Sequence, residues 1–161
     1  MYITYEEYTK LYGPAENFER LAADACRMMD KHTSGIDNVK KLKKFFPTDE
    51  DSAQAVKYCA AKVINLLAQI EEAEESVSMG RGYTQTEQGL QRKIISRVES
   101  GNEAISYMES NAGNSVIDKA VSDKSARDAL IHDTIREYLS GITDSNGVNL
   151  LYMGAYPRRF L

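Results

Sequence analysis

Thr48-Asp-Glu-Asp-Ser-Ala-Gln-Ala-Val-Lys-Tyr-Cys-Ala-Ala-Lys-Val-Ile-Asn-Leu-Leu-Ala-Gln-Ile-Glu-Glu-Ala-Glu-Glu75 is the stretch whose reading decides the fold. Pro47 stops whatever precedes it. Thr48 is a cap residue, and Asp49, Glu50 and Asp51 put three negative charges where the positive end of a helix dipole lies. Val56, Cys59, Ala60, Val63, Leu67 and Ile70 then recur at helical spacing, and Ile64 and Leu66 widen the stripe beyond the needs of a surface helix. A central core helix from Asp49 to about Glu75 is predicted.

Upstream, Thr4 and Glu7 stand at capping-box spacing before a short helix from Tyr5 to Leu11. Gly13 and Pro14 interrupt, and a second helix is expected from Pro14 to near Gly35, with Phe18, Leu21, Ala22, Ala25, Met28 and Met29 on one face. Between it and Pro47, Val39 to Phe46 carries Lys40, Lys41, Lys43 and Lys44 beside Leu42, Phe45 and Phe46, enough for one or two helical turns.

Downstream, residues 76–91 shift to Gly, Ser, Thr and Gln, including Gly80, Gly82 and Gly89, and are expected to form a mobile loop. Lys93 to Glu99 and Glu103 to Tyr107 read as a small β-hairpin turned by Ser100-Gly-Asn102. Ser122 and Asp123 are placed to cap a last helix that reaches Leu139 and stops at Gly141. The expected fold class is mainly α: a small helical bundle around one long central helix, with the hairpin between the central and last helices, all in one domain over 1–161. Residues 142–161, with Leu150, Leu151, Tyr152, Met153, Tyr156, Arg158, Arg159 and Phe160, are too apolar for a frayed end and are expected to be an interaction tail, with a tail folded on its own core as the equal alternative.

Composition narrows the function. The chain has 161 residues, 42% apolar and 27% charged, the balance of a folding domain. Its net charge of −4 sets the overall field against nucleic acid and acidic membranes. No apolar run reaches the roughly eighteen residues of a membrane span. Cys26 and Cys59 lie among apolar residues and are expected to be buried free thiols rather than nucleophiles. Neither of the two histidines has a second ligand type at zinc-like spacing: His32 suits a helix C-terminus and His132 a solvated face. Gly80-Arg-Gly82 lacks the order of a phosphate loop. Glu71, Glu72, Glu74 and Glu75 read as a solvated face rather than paired catalytic carboxylates. No catalytic, metal or cofactor residue emerges, and no enzymatic activity is expected. The lysine group is the one basic feature with a possible phosphate contact, against a simpler reading as a solvated helix face over Phe45 and Phe46.

Three segments, in order, carry a resemblance. Met1-Tyr-Ile-Thr-Tyr-Glu-Glu-Tyr8 runs into a helix containing Leu21, Ala22 and Met29; Ser96-Arg-Val-Glu-Ser-Gly-Asn-Glu-Ala-Ile-Ser-Tyr107 is the second; and Ile135-Arg-Glu-Tyr-Leu-Ser-Gly141 precedes Leu150-Leu-Tyr-Met-Gly154. Together they resemble the head-tail connector (head completion adaptor) proteins of tailed bacteriophages, the siphophages. The chain departs from that pattern in a longer Ile142 to Asn149 insertion and an extended Gly80 to Gly89 loop.

The resemblance implies a structural protein of a phage or prophage: a homo-oligomeric ring, dodecameric in the virion, that joins the portal protein of the capsid to the next adaptor or stopper and leaves a channel for packaged DNA, which passes without specific binding. It implies the virion neck as location, the host cytoplasm during assembly, and no membrane partner. Expected interface residues are Ile105 and Tyr107 on the hairpin and Leu151, Tyr152, Met153, Tyr156, Arg158, Arg159 and Phe160 on the tail; Lys40, Lys41, Lys43 and Lys44 are candidate channel contacts. The alternative function is a cytosolic helical regulatory or adaptor protein that binds one protein partner as an isologous dimer.

Overall fold

The computed structural model of the chain describes the backbone of residues 1–78, 83–86, 89–99, 104–109 and 115–160, and the side chains of residues 1–77 and 115–160. Helix α1 (Tyr5–Tyr12) starts from the expected capping box. The Glu7 N–H donates to Thr4 Oγ1 at 3.2 Å and the Thr4 N–H donates to Glu7 Oε2 at 2.9 Å. Lys57 reaches the same carboxylate at 2.6 Å and, with the Thr4 N–H, holds Glu7 down at about 2. Helix α2 (Phe18–Thr33) begins at Phe18, not at Pro14. Asn17 sits at φ 58°, in the left-handed region that asparagine tolerates and from which a helix cannot run backwards.

The basic segment makes a single turn, α3 (Lys41–Lys44), and the central helix is α4 (Glu50–Ser78). Its cap is Asp49 rather than Thr48, because the Ser52 N–H donates to Asp49 Oδ2 at 2.9 Å, which also lowers that carboxyl's pKa. The helix continues past Glu75. There Ser76 Oγ donates to the Glu72 carbonyl at 2.9 Å, so a residue of loop-like composition is satisfied inside a helix.

Beyond it lies a three-stranded antiparallel sheet, β1 (Tyr83–Thr86), β2 (Gly89–Glu99) and β3 (Ala104–Glu109), in the order β1-β2-β3. This corrects the expected mobile loop over 76–91, whose described residues are helix end and strand, and the two strands expected as a small hairpin stand as β2 and β3 in a three-stranded sheet. Gly80 and Gly82 lie outside the described residues. Thr86 pairs with Gly89 and Tyr83 with Arg92; Glu99 pairs with Ala104 and Lys93 with Glu109, with a register shift between Ile95 and Arg97. A lone hairpin is marginal in water, and a third strand is the usual remedy. Tyr83 and two threonines suit a strand, a signal masked by the glycines around them.

A second capping box, Ser115 with Asp118, starts the short helix α5 (Val116–Ser122), which sequence reading did not anticipate. Helix α6 (Lys124–Leu139) comes next, with the Ser125 N–H donating to Asp123 Oδ1 at 2.8 Å. Gly141 is the expected stop, at φ 79°.

The single domain expected over 1–161 divides into two compact units, Met1–Ala68 with Ile131–Leu161, and Gln69–Leu130. In the first, Leu21, Ala22, Ala25 and Met29 pack with Val56, Cys59, Ala60, Val63 and Ile64 of α4 and with Ile131, Ile135 and Leu139 of α6. Both cysteines are free; Cys59 is fully buried and Cys26 half-buried. Burial pushes the Cys59 thiol up to about 12. In the second unit Ile70, Ala73 and Ala120 are buried, and the Arg127 guanidinium joins the Ala120 carbonyl, at 3.1 Å, to Glu74. No helix among the described residues is long and apolar enough to cross a membrane.

Candidate interaction site

The segment after Gly141 folds onto its own unit, the second of the two alternatives that its apolar composition left open. Asp144 Oδ1 accepts the N–H groups of Asn146 and Val148, each at 2.9 Å, and Gly147 takes φ 75° in the same turn. Thr143 then bridges to Asn149, and the Leu150 N–H donates to the Ile142 carbonyl at 2.9 Å. This turn drops Leu150 into the core, where it is fully buried.

Lys41 fastens the residues from Asn149 to Tyr152. Expected on a solvated face, its side chain is instead 0% exposed. Its Nζ donates to the carbonyls of Asn149 at 3.3 Å, Leu150 at 3.0 Å and Tyr152. Burial lowers the lysine's pKa, with Asp144 and Asp37 opposing that shift. Lys40, Lys43 and Lys44 stay exposed, so only these three of the expected channel lysines face solvent. One sequence signal marked Lys41 as different: it stands one helical turn before Phe45, on the inward face.

Tyr156 is the second anchor and is likewise corrected, because it is 2% exposed within its own chain rather than offered to another. Its ring stacks on Phe45 with centroids 4.8 Å apart and planes 6° from parallel. The hydroxyl donates to Asp144 Oδ2 at 2.5 Å and accepts from Asn146 Nδ2 at 3.1 Å. Burial, then the hydrogen bond to Asp144, pushes the phenol up to about 12.

The loop after α2 holds the same segment from the other side. The Ile36 N–H donates to the Met153 carbonyl at 3.0 Å, and a Cβ added at Gly35 would collide with the Gly154 carbonyl. Gly35→Ala is therefore expected to lower the melting temperature by several degrees, at about 1–3 kcal/mol for forced overpacking. Thermal unfolding followed by circular dichroism checks this, and an unchanged midpoint would mean that the two backbones separate freely.

Asp37 Oδ2 accepts the Tyr156 N–H at 2.6 Å, and that bond lowers the Asp37 pKa below its ordinary 3.8. A carboxyl with a depressed folded pKa stabilises fully above its ordinary value and loses that contribution as pH falls through the folded one. Acidification below pH 3.8 is thus expected to loosen residues 153–157, and Asp37→Asn to remove this acid dependence. Amide chemical shifts of Tyr156 across a pH titration check it; identical curves for the two proteins would refute it.

What this anchoring leaves outside is a small surface. Tyr152 and Met153 are 49% and 54% exposed, and Lys41 Nζ lies 5.7 Å from the Tyr152 ring centre. Arg158 and Arg159 are exposed in a terminal 3-10 turn, with the Arg159 guanidinium 4.6 Å from the Phe160 ring centre. Ile105 and Tyr107 belong to β3, and their side chains lie outside the described residues.

Next to Met153 opens a cleft of about 430 Å³, with Leu151 and Met153 on one side and His32, His132, Ile135 and Arg136 on the other. The two histidines, read separately as unremarkable, meet edge to face with centroids 5.1 Å apart. Their distance along the chain hid this pairing; only the shared last-turn position of His32 and the i,i+4 spacing of His132 and Arg136 hinted at a common face. His132 Nδ1 lies 3.2 Å from Asp133 Oδ1. Among the described residues no three potential metal ligands cluster. Comparison of the chain with protein-family models, with curated proteins and with solved structures returned no match.

Proposed function

We propose that this chain is a structural subunit of a tailed-phage neck, a head-tail connector that assembles as a ring between the portal and the next adaptor. The observation that carries the reading is Tyr152 with Met153: two large apolar side chains exposed side by side on a segment held by Lys41, Tyr156 and Leu150. An apolar pair on a fixed support suits a protein contact, because little backbone freedom is left to lose on binding. The outer strands β1 and β3 offer a second means of joining subunits by strand addition. Rings need head-to-tail contacts between two different patches, and these features provide two. A net charge of −4, with Lys41 withdrawn from the basic turn, suits a channel wall that lets DNA pass without gripping it.

Negative-stain electron microscopy of the purified protein, alone and mixed with a portal protein from the same genome, tests the proposal. Annular particles or added density on the portal are expected, and a Tyr152→Ser, Met153→Ser double variant should fold normally yet lose them. Uniform dimers indifferent to portal would overturn the reading in favour of a small regulatory adaptor.

A further inference from the structure

The cleft beside Met153 has a composition that the ring proposal does not use. On one side Arg136 and the His32–His132 pair bring a permanent cation and two imidazoles, each of which keeps an N–H donor in either protonation state. On the other, Leu151 and Met153 supply an apolar wall. Arg136 is exposed and makes no ion pair with any described residue, and its fork of donors suits a carboxylate. The cleft's volume of about 430 Å³ lies in the range of sites that take a small ligand or a short peptide segment.

From this juxtaposition we infer that the cleft is a recognition site for an acidic–apolar peptide segment of a partner protein, in which one carboxylate lies next to an aliphatic side chain. The carboxylate meets Arg136 and the imidazole pair, and the aliphatic group lies against Leu151 and Met153. Charge separates this ligand from a nucleic-acid backbone. A phosphodiester chain is held by several cations at once, whereas here a single permanent cation stands in a chain of net charge −4 beside an apolar wall. The site is complete within one subunit, so the inference stands whether or not the chain forms rings.

Because the chain has only two histidines and both line the cleft, their imidazole proton signals form a local probe that needs no labelling. The experiment adds the blocked peptide acetyl-Leu-Glu-Leu-amide to the full chain and follows both signals by NMR, with acetyl-Leu-Gln-Leu-amide as the uncharged control. Saturable movement of both imidazoles is expected with the Glu peptide. Binding should be about tenfold weaker for the Gln peptide and for Arg136→Met, as befits loss of one charge-assisted hydrogen bond. Arg136 is exposed, so that variant keeps the fold, and Arg136→Lys should recover part of the affinity. Signals that stay still, an equal response to both peptides, or stronger movement with a single-stranded DNA 12-mer than with the Glu peptide would each overturn the inference.

Discussion

Lys41→Met lowers the melting temperature by about 10 °C, the shift expected when about 3 kcal/mol is lost in a chain of this size. Methionine keeps the apolar stem and the volume, so the substitution isolates the ammonium from the packing. What it removes is the shared donor of the Asn149, Leu150 and Tyr152 carbonyls, in a place with no exposed surface at Lys41. Buried carbonyls stripped of their donor carry the full desolvation penalty. Amide exchange should therefore quicken at Ile36 and Leu150 before it quickens in α4. A midpoint within a degree of the parent would show that water takes over the lysine's role and would sink the assignment.

Tyr156→Ala should be costlier still, about 4 kcal/mol, in the range for removal of a buried aromatic ring. It deletes the stack on Phe45 and the hydroxyl's bond to Asp144 together. Tyr156→Phe separates these contributions. It keeps the stack and leaves Asp144, 4% exposed, with the Asn146 and Val148 N–H groups but without its hydroxyl donor, at about 1–2 kcal/mol. Urea denaturation gives both values from the shift in midpoint at constant slope. Equal losses for the two variants would mean that the ring stack contributes nothing; a loss under about 1 kcal/mol for the alanine variant would mean that the segment detaches without disturbing the core.

Local signals in the sequence carried most of the helical architecture. The Thr4–Glu7 box, the acidic start after Pro47 and the Gly141 stop each act within one turn, and each lies within a residue or two of where the helices begin or end. Sequence failed where a local preference lost to a distant partner. Leu150 and Tyr156 fitted a contact with another chain as well as burial in their own, because their partners stand far away in sequence: Asp37 lies 119 positions from Tyr156. Lys41 differed from its three basic neighbours only in standing one turn before Phe45, since its burial depends on carbonyls 108 to 111 positions onward that no composition window contains. The polar stretch before β2 was misread for the opposite reason, its glycines outweighing the threonines that pair in β1. At the candidate site, Tyr152 and Met153 were legible as exposed apolar groups, while the His32–His132 pair required the tertiary fold to bring α2 and α6 together.

The fully covered Cys59 thiol offers a clock. A sulfhydryl held near 12 has almost no thiolate at neutral pH, and the thiolate is the species that attacks an alkylating reagent. Alkylation at that position must therefore wait for α4 to part from its neighbours. In a Cys26→Ser background, the rate of single-site iodoacetamide labelling would report how often the interior opens.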